Sequence, residues 1–177
     1  LIARAATAAG AEIEDVGRLV RSVNANLGIT PEQMPQVLAA LTQAGRDGNF
    51  ELRDMARELP ALTPLMAALG MRGETAAYQI GAAFQIAMRG AATASEAANN
   101  LLNDFQKLAS PETVRNFREV GVNLEALLAS AARQGISPFE ALVQRLRVLT
   151  GGNMFRLSEL FGDRQALLGL LPMLQHT

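Results

Sequence analysis

Apolar residues recur at helical spacing along almost the whole chain, and no stretch sustains the alternation of a β-strand. Met34, Val37, Leu38 and Leu41 stand at i, i+3, i+4 and i+7, and the same spacing returns over residues 124–131 and 139–149. Each set places one apolar stripe on one helix face, which must be buried against neighbouring helices. The sequence therefore predicts an all-α fold.

Helix starts and stops are marked as clearly as the stripes. Thr30-Pro31, Ser110-Pro111 and Ser137-Pro138 each combine a capping residue with a proline that fits the first helical position, and Thr93 with Glu96 forms a capping box. Glycines stand where helices are expected to end: Gly28, Gly45, Gly70, Gly90, Gly121, Gly135 and Gly162. These start and stop signals predict many short helices rather than a few long ones.

The predicted architecture is a compact multi-helix domain of about nine to eleven short helices. The expected spans are 3–26, 31–44, 50–58, 61–69, 74–89, 94–108, 111–120, 124–134, 138–150, 154–161 and 163–174. We expect residues 1–177 to form a single helical domain of a longer chain, because the sequence begins at Leu1 and not at Met. A subdivision into residues 1–90 and 91–177 stays open.

One short motif occurs twice. Gly28-Ile-Thr-Pro and Gly135-Ile-Ser-Pro share a Gly-Ile-[Thr/Ser]-Pro corner between two helices. The corner indicates either duplicated helical hairpins, as in helical repeat proteins, or only a common way of joining helices. A similar corner recurs at Ala109-Ser-Pro-Glu, and the spacings of 80 residues (Thr30 to Ser110) and 27 residues (Ser110 to Ser137) are unequal, so no regular solenoid is predicted.

The segment 75–88 is the longest uncharged apolar stretch. It falls short of the roughly 20 residues that a membrane span requires. Ile80, Phe84 and Met88 share one helix face, while Ala77 and Gly81 provide small residues elsewhere. We therefore expect residues 74–89 to form a central buried helix around which the others pack.

Composition excludes several classes of function. The 177 residues contain no cysteine, so neither disulfides nor thiolate zinc sites can form. The 16 basic and 17 acidic residues almost balance, which does not fit the basic footprint of a nucleic-acid-binding protein. With one tyrosine and no tryptophan, base-stacking platforms are not expected either. The sequence thus predicts no nucleic-acid partner.

Catalytic machinery is not expected. The single histidine, His176, lies next to the C-terminus, so no Ser–His–Asp triad or Cys–His pair can be assembled from a central histidine. Glu51, Asp54 and Glu58 share a helix with Arg53 and Arg57, which favours a solvated ion-pair face over a pair of catalytic carboxylates. We predict no catalytic residue, no cofactor-binding residue, no metal ligand and no cofactor.

Two glycine-containing segments could be ligand-binding loops or plain turns. Asp47-Gly48-Asn49 lacks the alternating ligands and final glutamate of a calcium-binding EF-hand loop, so a plain turn is expected. Gly151-Gly152-Asn153 is also predicted to be a turn, with Asn153 as the cap of the next helix.

The order of these motifs resembles tape-measure proteins of tailed bacteriophages and prophages. The blocks that carry the resemblance are Ala8-Ala-Gly-Ala, Gly28-Ile-Thr-Pro-Glu-Gln-Met-Pro, Ala39-Ala-Leu-Thr-Gln-Ala-Gly, Phe50-Glu-Leu-Arg-Asp-Met-Ala-Arg-Glu-Leu-Pro, Ala91-Ala-Thr-Ala-Ser-Glu-Ala-Ala-Asn-Asn-Leu, Leu108-Ala-Ser-Pro-Glu-Thr-Val-Arg-Asn-Phe, and Leu149-Thr-Gly-Gly through Leu160-Phe-Gly-Asp. Each block is weak alone, and their order and spacing make the resemblance specific.

The resemblance implies a structural role in phage tail assembly and tail-length determination. It implies contacts with tail tube, tail tip and tail assembly chaperone proteins, and a location inside the virion tail after assembly in the host cytoplasm. No catalytic residue is carried over. A homo-oligomer is compatible with the resemblance.

Two other functions remain compatible with the residues themselves. Capped helices with apolar stripes also occur in bacterial helical adaptors or solenoid-like modules that bind peptides or proteins. An enzyme whose catalytic residues lie outside this segment is the second alternative.

Overall fold

The computed structural model describes residues 1–47 and 49–162, together with Leu170, Pro172 and Leu174. Over these residues the chain forms ten α-helices and no strand, which confirms the predicted all-α class. The helices are α1 (Ile2–Ala9), α2 (Ile13–Leu27), α3 (Met34–Asp47), α4 (Leu52–Ala68), α5 (Gly73–Met88), α6 (Ala94–Leu108), α7 (Pro111–Glu119), α8 (Leu124–Arg133), α9 (Pro138–Thr150) and α10 (Met154–Phe161). None of the described helices is both long and apolar enough to cross a membrane.

The helices pack through one buried cluster. Helix α2 lies against α1, α4 and α5, and α6 packs on α4 and α5 before the chain continues into α7. Helix α10 lies against α7 and α9, and α8 packs on both of these as well. The cluster of buried apolar side chains draws on both halves of the chain, and it includes Leu170 and Leu174 from the segment predicted as the last helix. Apart from Pro172, the rest of that segment lies outside the described residues.

Most predicted caps are present. The side chains of Thr93, Ser110 and Ser137 each accept a hydrogen bond from the backbone N–H three residues later, at 3.1–3.2 Å. Asn123, which the sequence analysis did not single out, caps α8 in the same way. These bonds satisfy N–H groups that the first turn of a helix leaves without partners.

The predicted helix 3–26 is wrong, because the structure divides it into α1 and α2. Gly10 ends α1 with a φ of 60°, a left-handed conformation that glycine adopts without steric cost. The predicted span 3–26 had placed Ala8-Ala-Gly-Ala in the interior of one helix. Gly10 therefore separates α1 from α2.

The start of α3 also differs from the prediction. Helix α3 begins at Met34 after a hydrogen-bonded turn, and not at Pro31. One of the two hydrogen bonds of a capping box is present, since the Thr30 N–H donates to Gln33 Oε1 at 2.9 Å. A second hydrogen bond, from the Thr30 side chain to the Glu32 carboxyl, lowers the pKa of that carboxyl.

Gly45 does not end a helix, contrary to prediction, because α3 continues to Asp47. A β-carbon at Gly45 would lie 2.9 Å from Cα of Glu51 and 3.1 Å from the backbone nitrogen of Leu52. The glycine is therefore needed for the close approach between α3 and the start of α4.

The predicted helices 50–58 and 61–69 are wrong as separate elements, since α4 runs through Pro60 and Pro64. Pro64 has no N–H to donate to the carbonyl oxygen of Pro60, one turn earlier. Thr63 Oγ1 donates to that oxygen at 3.3 Å. The helix buries Leu59, Leu62 and Thr63, and its packing on α2 compensates for the lost backbone bonds.

Helix α5 is buried as predicted, although it is not the only central helix. Ile80 and Phe84 are fully buried, and Phe84 stacks on Phe50 with ring centroids 4.3 Å apart. Gly81 allows close approach to α3, because a β-carbon there would lie 2.9 Å from Leu41 Cδ2. Helix α4 contacts α1, α2, α3 and α6, whereas α5 contacts α2, α3 and α6.

The repeated Gly-Ile-[Thr/Ser]-Pro corners are not equivalent in structure. Gly28 and Gly135 both adopt positive φ. Ile29 is fully buried, however, whereas Ile136 is 44% exposed. Ser137 caps α9, but the corresponding threonine does not cap α3. The shared motif therefore reflects a common joint between helices, and it does not produce two matching hairpins.

Candidate interaction surface

The acidic residues of α4 have structural partners. Asp54 Oδ2 accepts from the Glu51 N–H at 3.3 Å, and Glu58 Oε1 accepts from Ser95 Oγ at 2.7 Å. Their arginine neighbours form ion pairs: Arg53 with Glu51 at 3.2 Å, and Arg57 with Asp15 of α2 at 3.3 Å. The predicted ion-pair face is therefore present in part: Arg53 pairs with Glu51, whereas Arg57 pairs with α2 and the carboxylates of Asp54 and Glu58 accept hydrogen bonds.

The other candidate positions have structural roles or lie outside the described residues. Asn153 Oδ1 accepts from the N–H groups of Phe155 and Arg156, so Asn153 caps α10 as predicted. Asp47 ends α3, while Gly48 and His176 lie outside the described residues. Within the described ranges, no group of three or more acidic or histidine side chains could hold a metal ion.

Exposed large apolar side chains concentrate at one end of the molecule. Seven such residues are found among the described residues. Four of them lie at the end of α7, the end of α9 and the start of α10, and we call these four the apolar corner: Val120, Val148, Met154 and Phe155. Phe155 is 82% exposed and Val148 is 75% exposed. Concentrated exposed apolar area of this kind marks interaction sites more often than isolated residues do.

The turn that presents the apolar corner is well determined by local chemistry. Helix α9 ends at Gly151, and Gly151 and Gly152 have φ of 58° and 76°. Thr150 Oγ1 donates to the Leu146 carbonyl at 2.8 Å and accepts from the Gly152 N–H at 3.2 Å. Asn153 then caps α10. These bonds place Val148 just before the turn and Phe155 just after it.

A cavity of about 470 Å³ adjoins the apolar corner. It is lined by Asn116, Glu119, Val120, Leu149, Thr150, Arg156, Glu159 and Leu160. Leu149 and Arg156 are the sequence neighbours of Val148 and Phe155, and Val120 belongs to both the cavity and the apolar corner. The cavity therefore connects the three helix ends into one surface.

The base of this surface is fixed by packing between α7 and α10. Phe117 and Phe161 form an edge-to-face pair with centroids 5.7 Å apart, and both rings are fully buried. Asn116 Nδ2 donates to the carbonyl oxygens of Glu159 and Leu160 at 3.0 and 3.1 Å. These contacts hold the two helices in one orientation.

Charged side chains of both signs surround the apolar corner. Arg156, Glu119 and Glu159 line the cavity, and Arg145 lies one turn before Val148 on α9. None of these four side chains forms an ion pair within 4.0 Å among the described residues. A partner surface could therefore pair with them at no cost to existing bridges.

A second apolar groove lies at the other end of the chain. It is lined mainly by residues of α1, α2 and the start of α3, with Leu1 and Ile13 exposed and Val20 half-buried. Arg21 and Asn24 supply its polar edge. The groove offers a useful control for experiments on the apolar corner.

The apolar corner was not predicted from the sequence, although one residue pattern pointed to it. Val148 falls outside the α9 stripe that includes Leu142, Val143, Leu146 and Leu149. An apolar residue off the buried stripe of a helix must face solvent or a partner. Sequence alone does not show that Val120 and Phe155 lie at the same end of the fold, because that depends on how α7 packs on α10.

Comparison with known proteins identifies the family. The sequence pattern of the phage-related minor tail protein family matches residues 1–162. The chain is 31% identical over 145 residues to a protein of Burkholderia phage BcepMu named "Probable tape measure protein", an alignment that covers 81% of this chain and 17% of that protein. The chain thus spans less than a fifth of the length of this relative. No solved structure matches. The chain belongs to the phage-related minor tail protein family.

Proposed function

We propose that this region is a folded assembly module of a phage tail tape-measure protein. It contributes to tail assembly and tail-length determination through protein–protein contacts, and it catalyses no reaction. Its place is the interior of the virion tail, which it enters during assembly in the host cytoplasm. The relative's name and the family support the tail role.

The main support for this proposal is that the apolar stripes of the helices are buried against one another within the chain. The longest helix among the described residues, α4, has 17 residues, which corresponds to about 26 Å at 1.5 Å per residue. A segment that measures length as a rod is expected to be a long continuous helix or coiled coil with sustained heptads. Here glycines in the left-handed conformation end successive helices, and the stripes face one common core. We therefore expect the segment to fold compactly and to lie beside the part of the tape-measure protein that sets tail length.

The expected partners are tail tube, tail tip and tail assembly chaperone proteins. The apolar corner and the apolar groove at α1 and α2 are the two surfaces with exposed large apolar groups and polar edges. Such surfaces suit contacts with other proteins. Membership of a phage tail family favours this role over that of a bacterial helical adaptor.

Co-purification with purified tail proteins tests the proposal. The 177-residue chain should retain at least one of the tube, tip or chaperone proteins encoded beside it. A Phe84→Asp variant, which places a charge in the core, should retain none of them because the docking surfaces require the fold. If the folded chain binds none of the three, the proposal of a docking module fails.

A further inference from the structure

We propose that the helices form two units, α1–α6 and α7–α10, that swing apart about a hinge at Ser110 and thereby open a cleft between α5 and α9. This boundary differs from the subdivision after residue 90 that the sequence left open. The inference does not rest on the proposed function, because it concerns the conformations of the purified chain alone.

Helix packing divides at the joint between α6 and α7. Helices α1 to α6 contact one another in several pairs, and so do α7 to α10. Among the described helices, α6 with α7 is the one pair with more than marginal contact that joins the two units, and these helices are consecutive in the chain. Asn26 of α2 bonds to Thr63 of α4, and Asn116 of α7 bonds to the end of α10. These bonds each lie inside one unit and would survive a rotation between the units.

The contact between the two units is incompletely filled. A cavity of about 290 Å³ separates α5 from α9, with Ala83 and Ile86 on one side and Phe139 and Val143 on the other. A second cavity of about 160 Å³ lies between the turn from α4 to α5 and the turn from α8 to α9. Gaps of this kind forfeit the dispersion contacts that stabilise helix packing. We therefore expect the units to separate here before either of them unfolds.

One aromatic pair bridges the two units. Phe105 of α6 and Phe139 of α9 stack with ring centroids 5.3 Å apart, and both rings are buried. Stacked rings stabilise the contact beyond the area that they bury. Because the pair spans the boundary, it favours the closed form and is lost when the cleft opens.

The two-residue connection between α6 and α7 suits a hinge. The Ser110 N–H donates to the Lys107 carbonyl of α6 at 2.9 Å, and the Val114 N–H of α7 donates to the Ser110 carbonyl at 3.0 Å. Pro111 restricts ψ of Ser110 to extended values, which leaves rotation about the N–Cα bond. This rotation breaks neither hydrogen bond, because the Ser110 nitrogen is bonded to α6 and its carbonyl to α7. Hinges commonly absorb such motion in one or two residues between helices.

Thiol modification tests the opening of the cleft. The chain has no cysteine, so a single introduced thiol reacts without background. Ala83→Cys places the thiol at a buried position that lines the cleft, whereas Ala77→Cys places it at a fully buried position of α5 that lines neither cavity. Opening exposes position 83 alone, and position 77 requires unfolding. Fluorescein maleimide, a bulky reagent, should therefore modify the Ala83→Cys chain at least about 100-fold faster than the Ala77→Cys chain.

Two further substitutions distinguish opening from unfolding. Phe139→Ala should raise the modification rate of the Ala83→Cys chain at least about tenfold, because the ring is buried only in the closed form. Leu19→Ala weakens the first unit in both forms, since Leu19 is fully buried in α2. It should raise the rate of the Ala77→Cys chain at least about 30-fold and leave that of the Ala83→Cys chain unchanged within a factor of about two.

Spin labels at Ala39 of α3 and Ala129 of α8, two exposed positions in different units, measure the motion directly by double electron–electron resonance. We expect a second label-to-label distance that becomes more populated in the Phe139→Ala variant. Equal modification rates at positions 83 and 77 would overturn the inference, as would a distance distribution that Phe139→Ala leaves unchanged. Hydrogen exchange of the α7–α10 amides at the rate of thiol modification would also overturn it, because the second unit would then unfold instead of swinging.

Discussion

Thr63 Oγ1 donates to the carbonyl oxygen of Pro60 within α4, where Pro64 provides no backbone N–H. Asn26 Nδ2 donates in turn to Thr63 Oγ1 at 2.9 Å, and the hydroxyls of Ser22 and Thr63 lie 2.5 Å apart. The fully buried Thr63 side chain thereby joins α2 to α4 at the turn where a backbone hydrogen bond of α4 is missing. This small polar group thus supplies a hydrogen bond to the carbonyl oxygen that Pro64 leaves without a backbone donor.

Replacing Thr63 with valine should lower the free energy of unfolding by about 1–3 kcal/mol, because buried polar groups on α2 and α4 lose their partner. Thr42→Val is a suitable control, since the Thr42 hydroxyl bonds only to the Leu38 carbonyl of its own helix at 2.7 Å. Urea denaturation followed by circular dichroism measures both. Equal losses in the two variants would show that the contact between α2 and α4 contributes nothing specific.

Phe84→Ala should cost about 3–5 kcal/mol, because the ring is fully buried and stacks on Phe50. Phe155→Ala removes a ring of the same size that is 82% exposed, and it should change stability by less than about 0.5 kcal/mol in dilute solution. Denaturant titrations at low protein concentration compare the two. A small loss for Phe84→Ala would contradict the burial of α5.

Gly17 of α2 and Gly81 of α5 should respond differently to replacement by alanine. At Gly17 a β-carbon would meet only the Arg21 side chain at 3.5 Å, so Gly17→Ala should stabilise the protein by up to about 1 kcal/mol through helix propensity. At Gly81 it would lie 2.9 Å from Leu41 Cδ2, so Gly81→Ala should destabilise by about 1–3 kcal/mol. Thermal melts distinguish the two signs. A stabilised Gly81→Ala variant would show that α3 and α5 are less closely packed.

Tyr78 is the only tyrosine, and the chain has no tryptophan, so its ionisation can be followed by ultraviolet absorbance. The Tyr78 hydroxyl donates to Glu74 Oε2 at 2.7 Å, and this bond raises the pKa of Tyr78 above its ordinary value of 10.0. The stabilisation is complete below the unfolded pKa and is lost as pH rises through the folded pKa. Glu74→Gln should move the titration to lower pH, and an unchanged curve would refute the hydrogen bond.

Local chemistry made most helices predictable from sequence. Ser110, Ser137 and Asn153 were identified because a capping side chain and the turn that follows are close in sequence. The helix break between residues 58 and 61 was predicted wrongly, because groups that stabilise this part of α4 lie on another helix: Ser22 Oγ donates to the Pro60 carbonyl at 3.4 Å, and Asn26 Nδ2 donates to Thr63 Oγ1 at 2.9 Å. Proline statistics do not include such tertiary compensation.

The apolar corner was unpredictable for a related reason. Val120 and Phe155 are separated by 35 positions (155 minus 120), and only the packing of α7 on α10 places them at one end. Gly45 shows the same limit, since its role depends on the approach of Glu51 and not on its own neighbours. Sequence patterns reveal which face of a helix is buried, but not which helix ends meet.

Tail length after an in-frame deletion of these 177 residues tests the central claim most directly. Drawn out as one straight helix, the segment would span about 265 Å, whereas a compact domain of this size has a radius of gyration of about 16 Å. The account predicts that the deletion blocks tail assembly, because docking contacts are lost, and that electron microscopy finds few or no complete tails. Infectious phage with tails uniformly shorter by close to 265 Å would contradict it, since the segment would then measure length as an extended helix.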